Sequence, residues 1–223
     1  MTAPRLPALS LLETRVLGVL CEKQHTVPDA YPLSLNALVA GCNQKTSRHP
    51  VIEASEAEVL AAIDTLKEPA LIVESSGGRV ARYAHNMEKA LRLPSQAVAL
   101  LTVLMLRGPQ TVGELRSNCE RLHRFADISA ADAFLQELAA RPDAAMVVEL
   151  PRQPGSRENR WAHLLGGAPA AETAAASPAA EPGATVAIDG IAALEARVAR
   201  LEAEVEDLKS LLGTLAAERG MPA

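Results

Sequence analysis

Aromatic side chains are nearly missing from this chain. It has two tyrosines, two phenylalanines and one tryptophan in 223 residues. That scarcity, beside abundant alanine and leucine, favours helical packing. Cysteine is also scarce. Cys21, Cys42 and Cys119 are odd in number, far apart and contain no C-x-x-C, which excludes a disulfide framework and points to reduced thiols in the cytoplasm. No apolar run approaches the roughly 20 residues that span a bilayer, so no membrane partner is expected. The opening MTAPRLPALS lacks the apolar core of a signal peptide. A basic excess is absent too, since the net charge is −5. Residues 1–90 carry nine Lys and Arg against ten Asp and Glu, and residues 91–165 carry nine against eight. Residues 166–223 carry four against nine, so the acidity belongs to the tail and the body is close to neutral. No global basic field announces nucleic acid.

What is present divides the chain into parts. Residues 166–187, GGAPAAETAAASPAAEPGATVA, are alanine, proline and glycine with almost no large apolar side chain. They read as a linker. Residues 188–219 follow a different period. Ile191, Leu194, Val198, Leu201, Val205, Leu208, Leu212 and Leu215 are spaced alternately three and four apart, the seam of a coiled-coil helix. The first three a positions are β-branched and every d position is leucine, which favours a parallel homodimer. The flanks agree: Arg197 would face Glu202 of a second copy, and Glu204 would face Lys209. The competing reading packs the same stripe back on the body.

Within the body, S/T-x-x-E capping boxes mark helix starts at Ser10–Glu13, Ser55–Glu58 and Thr111–Glu114. Ser34 caps a further helix, LNALVAGCN. ALIVES and RVARYAHN around Gly77–Gly78 read as a hairpin. Residues 9–86 therefore run helix, helix, helix, hairpin, and residues 95–165 repeat that order. Cys42 and Cys119 match at an offset of 77, and Arg82-Tyr-Ala-His matches Arg160-Trp-Ala-His at 78. Two motifs in the same order at nearly one offset indicate a duplication. Three helices followed by a two-stranded hairpin is the winged-helix arrangement. The expected fold is α+β and mainly helical. It has tandem winged helix-turn-helix modules at 9–90 and 91–165, then the linker and the coiled-coil helix.

The stretch LETRVLGVLCEKQHTVPDAYPLSLNALVAGCNQKTSRHPV, residues 12–51, resembles the signature region of the YceH family of uncharacterised bacterial proteins. The resemblance implies two winged-helix domains and no established activity.

Candidate chemistry is thin. Cys21, His25, Cys42, His49, His85, Cys119, His123 and His163 include no pair at zinc-finger spacing. No nucleophile elbow, Walker A motif or dinucleotide fingerprint occurs. The chain reads as a non-enzyme with no cofactor and no metal. For nucleic acid, the outward faces of the third helices are informative. Val59, Ile63 and Leu66 should face the core, leaving Glu56, Glu58, Ala61, Asp64, Thr65 and Glu68 outside. In the second module Phe134, Leu135 and Leu138 should go inward, with Ala131, Asp132, Gln136, Glu137 and Arg141 outside. Both faces are poor in the donors that read bases. Cations lie instead in loops and wings. Lys45, Arg48, His49, Arg79, Arg82, Arg121, Arg124, Arg157 and Arg160 are the candidate phosphate contacts, supported by Arg116, His123 and Arg152. The reading is DNA association through these groups. The alternative is a protein-interaction adaptor that presents the acidic third helices to a partner. The twin RYAH and RWAH strands should bury Tyr83 and Trp161 on the face shared with His85 and His163, turning Arg82 and Arg160 the other way.

Overall fold

Side chains write the helix starts of this chain, and the computed structural model, which describes residues 8–75, 80–153 and 155–167, places every expected one. In chain order the elements are α1 (Leu11–Thr26), β1 (Leu33–Ser34), α2 (Leu35–Cys42), α3 (Glu56–Lys67), β2 (Ile72–Ser75) and β3 (Arg82–His85). Then come α4 (Met87–Leu91), α5 (Ser95–Arg107), α6 (Val112–Asn118), α7 (Ile128–Ala139), β4 (Val147–Leu150) and β5 (Arg160–His163). Capping boxes at Ser10–Glu13, Ser55–Glu58 and Thr111–Glu114 start α1, α3 and α6. Ser34 caps α2 by accepting from Ala37 N. Asp127 caps α7 in the same manner, accepting from Ala130 N at 2.7 Å. Each cap satisfies donors the helix cannot pair itself, worth about 1 kcal/mol.

The order helix, helix, helix, hairpin occurs twice. In the first repeat β3 lies between β1 and β2, all antiparallel, with Tyr83 opposite Leu33 on one side and Glu74 on the other. In the second repeat β4 and β5 pair with Trp161 opposite Glu149. The place of β1 is taken by one residue, Gln110, which exchanges two backbone hydrogen bonds with Trp161 at 3.1 and 2.7 Å. Both rings are buried, at 4% and 2% exposure. Each aromatic thus sits at the same crossing of a hairpin strand with the segment before the second helix of its repeat.

The two repeats share one core. Thr14 to Cys21 of α1 and Ala97 to Leu106 of α5 are buried without interruption. A helix hidden on all sides is a central one, and α1 and α5 pack on each other. Gly18 lets them approach, since a Cβ there would stand 2.9 Å from Leu106 Cδ2. The ends of the body also meet: Leu9 N donates to Leu165 O at 2.8 Å. Between the repeats, α4 buries Met87 and Leu91 and ends on Arg92 in the left-handed region, φ 51°. Among the described residues no helix is long and apolar enough to cross a membrane.

Third-helix burial follows the expected phase in the first repeat. Val59, Ile63 and Leu66 are buried, and Glu56, Glu58, Ala61, Asp64, Thr65 and Glu68 are exposed. The second repeat requires three corrections, the mildest being Asp132, expected outside and half-buried. Ala131, expected outside, is fully buried. It lies four residues before Leu135 and so shares its face. Arg141 is half-buried, its Nη2 donating to Leu91 O at 3.2 Å. The dimer seam, Ile191 to Leu215, and Arg79 lie outside the described residues.

Candidate nucleic-acid interface

The loop from α2 to α3 was expected to offer Lys45, Arg48 and His49, and it offers chiefly Lys45. Arg48 is buried, with a side chain at 0% exposure. Its guanidinium clasps Glu22 of α1 with both nitrogens, Nη2–Oε2 at 2.6 Å and Nη1–Oε1 at 3.1 Å, and Nε donates to Gly41 O at 3.2 Å. A group so committed cannot reach a phosphate, so Arg48 is removed from the candidates. Burial pushes the Glu22 carboxyl up, but the hydrogen bonds and charge of Arg48, helped by Lys23, hold it below the usual carboxylate range. His49 is exposed, yet its backbone N donates to Leu106 O at 2.8 Å, and Arg107 Nη2 donates to Ser47 Oγ at 2.8 Å. This loop is therefore a clasp between the repeats.

Beneath it lies a residue the sequence did not single out. Arg15 is fully buried, donating to Cys42 O at 3.2 Å and Pro50 O at 2.6 Å. Burial, then the neighbouring Arg48 charge, lowers its pKa. Its place in the middle of a buried helical run was the only available signal.

The corresponding loop of the second repeat is more open. Arg121 and Arg124 are exposed. Arg124 lies 3.8 Å from Glu120, a solvated pair worth little. Arg116 is half-buried and donates to Ala126 O at 3.4 Å, while His123 packs edge-on against Phe125 at 4.7 Å.

The hairpins border a groove in each repeat. In the first, a groove of about 540 Å3 lies between the hairpin and the starts of α2 and α3, bordered by Leu35, Asn36, Glu56, Val80 and Arg82. In the second, a groove of about 320 Å3 is bordered by Val112, Gly113, Ile128, Glu158 and Arg157. Leu35 and Asn36 stand 77 positions before Val112 and Gly113, and Val80 stands 78 before Glu158. Arg82 is exposed and donates to Pro32 O at 2.9 Å. Arg152 and Arg157 are exposed, and Arg160 is half-buried with its Nε sealed from solvent.

Among the described residues, burial holds the cysteines and two of the histidines toward their neutral forms. Burial pushes each of Cys21, Cys42 and Cys119 up to about 12, which keeps them as thiols. Burial, with the nearby His25 charge, lowers His85 to about 4, and burial lowers His163. His85 bonds Gln24 through Nε2, and its backbone N donates to Tyr31 Oη at 2.8 Å. Among the described residues no three His, Cys, Asp or Glu side chains cluster as a metal would need.

Comparison with known proteins decides the kinship. The family described as "Protein of unknown function, DUF480" matches residues 9–156. The chain belongs to this family. A UPF0502 protein of Dechloromonas aromatica is 66% identical over 206 residues, covering 92% of this chain and 95% of the relative. A UPF0502 protein of Methylibium petroleiphilum is 62% identical over 201 residues, covering 90% and 85%. One from Paraburkholderia xenovorans is 57% identical over 223 residues, covering 99% and 92%. The DUF480 match spans the first repeat and most of the second, ending before β5, so Arg157, Glu158 and Trp161 of the second groove lie beyond it.

Proposed function

We propose that the chain is a non-enzymatic cytoplasmic protein of two winged-helix modules that holds duplex DNA by its phosphates. Each repeat supplies three helices and a hairpin, with α2–α3 and α6–α7 in the helix-turn-helix places and the hairpins as wings. The observation that carries the DNA reading is that Arg82, Arg121, Arg152 and Arg157 are exposed and pair with no carboxylate among the described residues. Arg82 and Arg157 each border the groove of their own repeat, which would set a phosphate contact beside each hairpin. Carboxylates on the outer face of α3 oppose base reading there, so binding should be sequence-independent and salt-sensitive. Fluorescence anisotropy with mixed-sequence duplex at low salt should show binding that weakens steeply with salt. Arg82→Ala and Arg157→Ala should each reduce the salt slope by about 1. No binding at micromolar protein overturns the reading.

The heptad tail extends the proposal to a homodimer, which would present four modules at once. Deleting residues 188–223 should convert a dimer to a monomer in light scattering.

A second reading is favoured by the surface of α3, where Glu56, Glu58, Asp64 and Glu68 are exposed and Leu60 is 39% exposed. That face suits a basic protein partner. Charge reversal at Glu58 and Asp64 should abolish capture of such a partner while leaving DNA binding intact.

A further inference from the structure

The clasp between the repeats encloses a cleft that neither the wings nor the third helices use. It has a volume of about 260 Å3 and is walled by the end of α1, the α2–α3 loop, α5 and the end of α6. Three cations line it: Lys23 and Arg107, from different repeats, and Arg121. Glu22 is the one carboxylate in the lining, and both its oxygens are engaged by buried Arg48. Lys23 lies 3.3 Å from one of those oxygens, so it shares a charge already neutralised. Arg107 and Arg121 pair with no carboxylate among the described residues. The cleft therefore holds an excess of positive charge that the protein's own described side chains leave uncompensated. Like charges gathered in a small concavity repel, and an anion would relieve that cost.

The polar lining suits an oxyanion. Thr46 and Ser47 bring hydroxyls from the loop, and Asn118 brings an amide from α6. Ser47 sits in the left-handed region, φ 58°, which a non-glycine residue rarely adopts. That conformation accompanies the 2.8 Å bond from Arg107 to its hydroxyl. Local backbone strain of this kind concentrates where side chains are held for a ligand.

We propose that this cleft is a binding site for a small phosphate-bearing anion, inorganic phosphate or a phosphomonoester, held by Lys23, Arg107 and Arg121. Guanidinium pairs match the geometry of phosphate oxygens. The space is below the usual range of drug-sized pockets, about 300–1,000 Å3, so it takes a small ligand or a single phosphoryl head. Because the walls come from both repeats, occupancy would fasten the α2–α3 loop to α5 and α6. The proposal stands apart from DNA binding, although Arg121 enters both.

The test is titration of the full-length protein with inorganic phosphate and with glycerol 3-phosphate, at ionic strength matched by sodium chloride. Calorimetry and amide NMR shifts are both recorded. Saturable binding is expected, with shifts confined to residues 22–26, 44–49, 102–108 and 118–122. Lys23→Gln and Arg121→Gln, checked for native melting behaviour, should each weaken binding about tenfold, the loss expected for one charged hydrogen bond. Wing variants Arg82→Ala and Arg157→Ala should leave it unchanged. Equal responses to chloride, shifts located elsewhere, or binding indifferent to both cleft variants overturns the proposal. A duplex that moves these resonances while both free phosphates do not would assign the cleft to the DNA backbone and overturn the small-ligand proposal.

Discussion

Arg48 and Glu22 stand 26 positions apart in sequence, and their pairing explains why one candidate vanished on folding. An arginine in a polar loop reads as solvated unless its carboxylate is known, and that carboxylate sits on another helix. Capping residues were legible because donor and acceptor lie three positions apart. The burial of Tyr83 and Trp161 was legible because strand alternation is local. Breaking the buried pair with Glu22→Gln should cost about 3–5 kcal/mol, because it strands a guanidinium with no exposure. Urea unfolding measures this, and Glu22→Gln with Arg48→Met should recover part of the loss. Acid should act at two steps. His85 accepts a proton near its ordinary 6.5 when unfolded but only near about 4 when folded. The unfolded chain binds more protons between those values, so stability is complete above 6.5 and falls as pH drops through the window. Glu22, depressed in the folded state, stabilises above its ordinary 4.5, and that contribution is lost on further acidification. His85→Asn should flatten the first step in a series of pH-dependent melts.

Among the elements, the long helices and both hairpins could be read from period and punctuation. β1 has two residues and α4 has five, too short for either period to register. β1 exists because β3 has a free edge beside the entry to α2. α4 exists because Met87 and Leu91 close the core between the repeats. Glycines test the helix contacts directly. At Gly41 in α2 a Cβ would stand 2.5 Å from Val19 Cγ1, whereas at Gly113 in α6 nothing lies within 4 Å. Alanine at an open helical position gains up to about 1 kcal/mol over glycine. Gly113→Ala should therefore raise the melting temperature, and Gly41→Ala should lower it despite the same intrinsic gain. A rise in both would show that α1 and α2 pack less closely than the distances indicate.

At the scale of the whole molecule, the recurring order of elements was legible but the common core was not. Sequence offsets identify two similar units, yet they do not say which faces meet. α1 and α5 are buried over most of their length, and each is complete only against the other. The first repeat alone, residues 1–92, should therefore expose its α1 seam, bind a hydrophobic dye and lose a cooperative melt. Residues 1–167 should melt in one transition. Two transitions would make the repeats independent folding units. The cationic cleft was illegible for the same reason, since its walls are distant in sequence and converge only when the repeats join.

The bond from Leu9 to Leu165 gives the body the connectivity of a ring. Its ends are near enough to be spliced, and its two halves are joined on the far side through Arg92. Cutting there and joining the old ends would give a circular permutant in which the second half precedes the first, with the same contacts throughout. By its contacts neither half comes first, and the permutant should keep the single melt of the native body.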